Sequence, residues 1–144
     1  MRVFVVEDSF VVRRLIVRRL EAIQGLQVVG EATGQEKAFA LIRNTRPEAV
    51  LVDLTLDSGS GLGLVADLRQ DGFLGYLAVL TAQNLDQLRD ACLGAGADDC
   101  YDKGTGMESL FGELELRARR MSGRDVEDAA GESTTRDVLP TSQY

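Results

Sequence analysis

The chain contains no histidine. That absence excludes Ser-His-Asp and Cys-His catalysis, His-ligated zinc and any role as a phosphohistidine donor. A phosphoryl group handled by this protein has to be received on another side chain. Cysteine is scarce: Cys92 and Cys100 are the only two, they do not form a CxxC pair, and they are too few to staple a secreted scaffold. Reduced thiols in a cytosol are the plain expectation. Basic charge is also in short supply, with 16 Lys and Arg against 23 Asp and Glu and a formal net charge of −7. The clustered cationic footprint of a nucleic-acid binder is therefore not expected, and neither is contact with a membrane. No apolar run is long enough for a signal-peptide core or a spanning helix; at the N-terminus Arg2, Glu7 and Asp8 break it up.

What is present is a repeating alternation. Three short apolar runs, Val3 to Val6, Ala49 to Val52 and Leu77 to Leu80, read as buried parallel strands, each followed by a polar residue. Gln27 to Ala32 and Asp98 to Tyr101 are more polar, as edge strands tend to be. Between them lie helical periodicities: Val12, Leu15, Ile16 and Ile23, then Ala38, Leu41 and Ile42, then Leu64, Val65 and Leu68 ending near Gly72. Leu85, Leu88, Cys92 and Ala95 precede Gly96, and Met107, Leu110, Phe111, Leu114, Ala118 and Met121 form the last stripe. The expected fold is α/β, a doubly wound five-stranded parallel sheet with five helices. The order 2-1-3-4-5 puts the apolar strands inside. With 44% hydrophobic residues the chain suits one core. The expected division is a domain over residues 1–121 and a disordered acidic tail over 122–144, where large apolar residues become rare.

In an open parallel sheet the ligand site lies beyond the carboxyl ends of the strands, where the strand order reverses. Glu7 and Asp8 follow the first strand, Asp53 ends the third, Thr81 ends the fourth, and Lys103 follows the fifth. Taken singly, each has an ordinary role as a cap, a turn or a solvated charge. Their conjunction at one edge points to chemistry. Carboxylates this close raise one another's pKa unless a cation intervenes, and an all-oxygen set suits magnesium. Asp53 is then the candidate nucleophile for a phosphoryl group, with Thr81 hydrogen-bonding its oxygens and Lys103 pairing with its charge.

These residues resemble the receiver domain of two-component response regulators, over residues 1 to about 121. The match is carried by Val5-Val6-Glu7-Asp8-Ser9, Val50-Leu51-Val52-Asp53-Leu54, Gly59-Ser60-Gly61-Leu62, Leu80-Thr81-Ala82, and Gly94-Ala95-Gly96-Ala97-Asp98 leading to Lys103. The resemblance implies a flavodoxin-like fold and a cytoplasmic, stand-alone signalling module in a phosphorelay. It implies magnesium on Glu7, Asp8 and Asp53, and phosphorylation of Asp53 from a sensor histidine kinase or a histidine phosphotransfer protein. Thr81 and Lys103 would sense the phosphate, and a downstream protein target, unidentified, would read the result. Beyond turning over its own phosphoryl group, such a domain is not an enzyme.

Two departures stand out. The family usually has a proline after the lysine, often in a cis bond, whereas Gly104 follows Lys103 here; a cis non-proline bond costs about 2.5–4 kcal/mol, which favours trans. The family's aromatic switch position, three before the lysine, holds Cys100, with Tyr101 beside it. Successive strand residues face opposite sides, so Tyr101 replaces the ring only through a bulge. The rival readings are a magnesium-dependent small-molecule phosphatase and a receiver-like binding module that is never phosphorylated. An FMN-binding flavodoxin is disfavoured, because Glu7 and Asp8 would repel its phosphate.

Overall fold

Val3, Phe4, Val5 and Val6 have no exposed surface, because the strand they belong to, β1 (Arg2–Val6), is covered on both faces and paired on both edges. Residues 1–130 are described in the structure, a computed structural model, with side chains through Gly123. After β1 come α1 (Phe10–Glu21), β2 (Gln27–Ala32), α2 (Gln35–Thr45), β3 (Ala49–Asp53), α3 (Gly61–Gln70) and β4 (Tyr76–Thr81). The chain then forms α4 (Leu85–Ala95), β5 (Asp99–Asp102) and α5 (Met107–Ala130). The five strands are parallel in the order β2-β1-β3-β4-β5. This is the sheet that the apolar runs predict.

Alternation along the strands sorts the core into two layers. Phe4, Val6, Val50, Val52, Leu77, Val79 and Cys100 face one way, onto α2, α3 and α4 through Ile42, Leu64, Leu68 and Cys92. Val3, Val5, Leu51, Tyr76, Ala78 and Leu80 face the other way, onto α1 and α5 through Ile16, Leu20, Leu110 and Leu114. β3 and β4 are buried along their whole lengths.

Some boundaries move. β5 begins at Asp99 rather than Asp98, because Asp98 is used as a brace: its Oδ2 accepts from Leu77 N at 2.9 Å and pairs with Arg69 at 3.0 Å. In α1 the buried face is Ile16, Val17 and Leu20, while Leu15, expected on the core stripe, is 59% exposed. Ile23 lies in the turn after the helix. The boundary expected after Met121 falls inside α5, which runs on to Ala130. Residues 122–130 contain no proline, and Glu127, Ala129 and Ala130 are good helix formers that offset Gly123. Residues 131–144, the rest of the expected tail, lie outside the described residues. Among the described residues there is no cis peptide bond, and no helix is long and apolar enough to cross a membrane.

Candidate phosphoryl-acceptor site

β1 and β3 are neighbours, so whatever follows their carboxyl ends shares one crevice. Three residues, Glu7, Asp8 and Ser9, connect β1 to α1. Glu7 is fully buried. Its N–H continues the β-ladder to Ala32 O at 3.0 Å, and its Oε2 accepts from Ser9 N at 3.0 Å. Ser9 caps α1, its Oγ accepting from Val12 N at 3.3 Å. Asp8 is exposed at the mouth. Asp53, 4% exposed, ends β3, and its Oδ1 accepts from Thr55 N at 3.3 Å. Carboxylate oxygens of Glu7, Asp8 and Asp53 lie within 4.8 Å of one another.

α3 comes close beneath Asp53 because it starts with a glycine. Gly61 N donates to Leu54 O at 3.0 Å, and a Cβ at Gly61 would overlap the Asp53 carbonyl. The Gly59-Ser60-Gly61 run therefore provides close backbone approach.

Lys103 reaches in from the far side. Its Nζ is 2.7 Å from Glu7 Oε1 and 3.0 Å from Asp53 Oδ2, through a trans bond to Gly104. The loop that delivers it is organised by Asp102, whose Oδ1 accepts from Gly104 N at 2.7 Å and Thr105 N at 2.9 Å. Those two bonds hold the Asp102 carboxyl below its usual pKa. Lys103 N also donates to Thr81 O at 2.9 Å. Thr81 is 1% exposed and its Oγ1 accepts from Gln83 N at 2.9 Å. Across the mouth, Gln83 Nε2 lies 3.4 Å from Thr55 Oγ1.

The electrostatics follow from burial. Desolvation raises the Glu7 pKa above the usual value, with the Asp53 charge adding to it, against the hydrogen bonds from Lys103 and Ser9. Burial acts against the Lys103 ammonium too, but the hydrogen bonds and charges of Glu7 and Asp53 outweigh it and raise its pKa. Glu7 Oε1 is buried and has no well-directed hydrogen bond, only the ammonium beside it. Three carboxylates that offer oxygens within 4.8 Å of one another, two of them from buried residues, form an all-oxygen set that a hard divalent cation such as magnesium fits.

All five residues picked out at the strand ends, Glu7, Asp8, Asp53, Thr81 and Lys103, thus come together. Cys100 and Tyr101 do not. Cys100 is 3% exposed and faces α4, its Sγ 3.3 Å from Cys92 Sγ. Tyr101 faces α5, its hydroxyl 3.0 Å from that of Tyr76. The β4–β5 register runs without a bulge, so Tyr101 stays on the face opposite Cys100. Sequence reasoning missed Asp102, Thr55 and Arg13, whose Nη1 donates to Glu7 O at 2.8 Å. Asp102 was detectable as an aspartate shortly before a glycine, a turn signal. Thr55 had no signal beyond lying two residues past Asp53. A hollow of about 510 Å³ lined by Ile42, Arg46, Pro47, Phe73 and Gly75 lies at the opposite end of the sheet, away from these groups.

Comparison with known proteins agrees with this geometry. The family model for the response regulator receiver domain matches residues 3–115. The response regulator MprA of Mycolicibacterium vanbaalenii is 36% identical over 132 residues, covering 92% of this chain and 55% of the relative. The KDP operon transcriptional regulatory protein KdpE of Escherichia coli is 32% identical over 126 residues, covering 88% and 55%. The chain thus spans about half the length of these curated relatives. Among solved structures, the BeF3-activated N-terminal receiver domain of Klebsiella pneumoniae RstA is similar at 30% identity and a TM-score of 0.73, covering 83% of this chain and 99% of that one. The response regulator domain of Thermotoga maritima CheB shares the fold, at 19% identity and a TM-score of 0.72 over 83% of this chain and 94% of that one.

Proposed function

The chain belongs to the response regulator receiver domains of two-component systems, and from that premise we propose that Asp53 accepts a phosphoryl group from the phosphohistidine of a sensor kinase or a histidine phosphotransfer protein. The observation that carries the reading is the convergence on Asp53: carboxylates of Glu7 and Asp8 within 4.8 Å and the Lys103 ammonium at 3.0 Å. Glu7, Asp8 and Asp53 would hold magnesium, which when bound supplies the positive charge that offsets repulsion between Asp53 and the incoming phosphoryl oxygens. An Asp53 carboxylate oxygen forms the new O–P bond as the P–N bond to the donor imidazole breaks. The imidazole leaves with the electron pair and takes a proton from solvent. Lys103, already paired with Asp53, neutralises the charge that arrives, and Thr81 turns its hydroxyl from the Gln83 amide toward the phosphate oxygens. The domain then signals by a changed protein-binding surface; its acidic balance argues against nucleic acid as its own direct contact. The phosphoryl-accepting unit is residues 1–121, and the segment after it is dispensable for the chemistry.

Incubation with acetyl phosphate and magnesium, followed by intact mass, tests this. The wild-type protein should gain one phosphoryl group, and Asp53→Asn should gain none. A stable phosphoprotein in the variant would remove Asp53 from the role. Sustained turnover of a generic phosphate ester would replace the signalling reading with that of a phosphatase.

A further inference from the structure

The Asp8 carboxylate is the member of the acidic set with nothing of its own to hold it. It is exposed, and among the described residues no hydrogen bond or ion pair fixes it, in contrast to Glu7 and Asp53. Its place is set by the peptide plane between Glu7 and Asp8. That plane is held at its oxygen, Glu7 O accepting from Arg13 Nη1 at 2.8 Å, while the preceding peptide is fixed by Glu7 N, which donates to Ala32 O at 3.0 Å. Arg13 is itself held. Its Nε pairs with Glu31 Oε1 at 3.0 Å, its side chain is 15% exposed, and Glu31 sits in β2 directly opposite Val5 of β1. The guanidinium thus ties the first turn of α1 and the edge strand to one carbonyl of the loop that presents Asp8.

We propose that Arg13 is a positioning residue for magnesium binding, acting through the Glu7 carbonyl to hold Asp8 where it can serve as a ligand; this rests on the function proposed above. Coulomb's law alone opposes such a role. A guanidinium beside a cation site repels the cation, so a purely electrostatic Arg13 would weaken magnesium binding and its removal would strengthen it. Positioning has the opposite sign. Losing the fork frees the peptide plane to rotate, and Asp8 must then be ordered at the moment of binding. Lysine does not substitute, because a single ammonium lacks the planar fork that spans a carbonyl and a carboxylate together.

The test is a magnesium titration of the full chain, followed by amide chemical shifts, on wild type, Arg13→Gln, Arg13→Lys and Glu31→Gln. Side chains that orient metal ligands are worth about 10–100-fold in affinity. Both Arg13 variants should bind magnesium about tenfold more weakly, at the low end of that range, and Glu31→Gln should fall between them and wild type. At saturating magnesium, phosphorylation by acetyl phosphate should return to the wild-type rate, which separates positioning from a part in the chemistry. Tighter binding by Arg13→Gln, or wild-type affinity in Arg13→Lys, overturns the inference and leaves a charge effect in its place. Glu31→Gln, which keeps the arginine, decides the matter if an Arg13 variant fails to fold: unchanged affinity there also overturns it. A wild-type protein that binds no magnesium defeats the proposed function itself, so the two failures are distinct.

Discussion

Cys100 occupies the position where the family places a ring, and burial there has a consequence that pH exposes. Enclosed against Cys92 at 3.3 Å, the Cys100 thiol has its pKa pushed up to about 12, chiefly by desolvation and then by the hydrogen bond and charge of Cys92. A group whose folded pKa lies above its unfolded value supports the fold fully below the unfolded value and ceases to do so as pH rises through the folded one. The ordinary value for such a thiol is 9.0, so the window runs from about 9 to about 12. Tyr76 and Tyr101 are shifted upward as well, both first by burial, and act in the same direction. We expect melting temperature to fall steeply with pH across this window. Cys100→Val, similar in size and unable to ionise, should make the fall shallower; equal slopes for the two proteins would mean that the thiol titrates as freely folded as unfolded.

At the scale of elements, the question is which connection carries the phosphate signal. The route available is short: Thr81 ends β4, its hydroxyl holds Gln83 N, and Asn84 then caps α4 by accepting from Asp86 N at 3.0 Å. If Thr81 turns to the phosphate, Gln83 loses its acceptor and the loop leading to α4 is released. Tyr101 cannot enter this route, because it packs toward α5 and bonds Tyr76. Thr81→Ala should therefore abolish the amide shifts of α4 on beryllofluoride binding, while Tyr101→Ala leaves them. The reverse pattern would restore the ring mechanism. Where the sequence was legible is also an element-scale matter. Val3–Val6, Ala49–Val52 and Leu77–Leu80 are strands buried on both faces, so their apolar runs are unambiguous. Asp53 and Thr81 were found because they sit where those runs stop. Leu15 was misplaced because α1 has apolar residues on more than one face, and periodicity alone does not say which face meets the sheet. Arg13 and Thr55 act through backbone atoms, contacts that no spacing pattern encodes.

For the molecule as a whole, the remaining question is how much of the chain the phosphoryl-accepting unit requires. α5 closes the α1 side of the sheet with Leu110, Phe111, Leu114 and Ala118, all buried. Among the described residues its polar ties include two in the same stretch: Glu108 receives both Nη atoms of Arg19 at 2.9 Å, and the Arg117 guanidinium lies 3.8 Å from the Tyr76 ring centroid. Burying one large apolar side chain is worth about 1.5–3 kcal/mol, so these residues are enough to hold the helix in place without the turns that continue to Ala130. Helix beyond Met121 adds backbone hydrogen bonds but lies past the last of these packing residues. Such a segment is expected to add little to stability, because isolated helical turns are marginal in water. Truncation after Met121 should leave the rate of phosphorylation by acetyl phosphate unchanged and the melting temperature within about 3 °C of the full chain, a shift of about 1 kcal/mol or less for a domain of this size. A larger loss in melting temperature would mean that residues after Met121 pack on the domain; a loss in rate alone would place them at the Asp53 crevice.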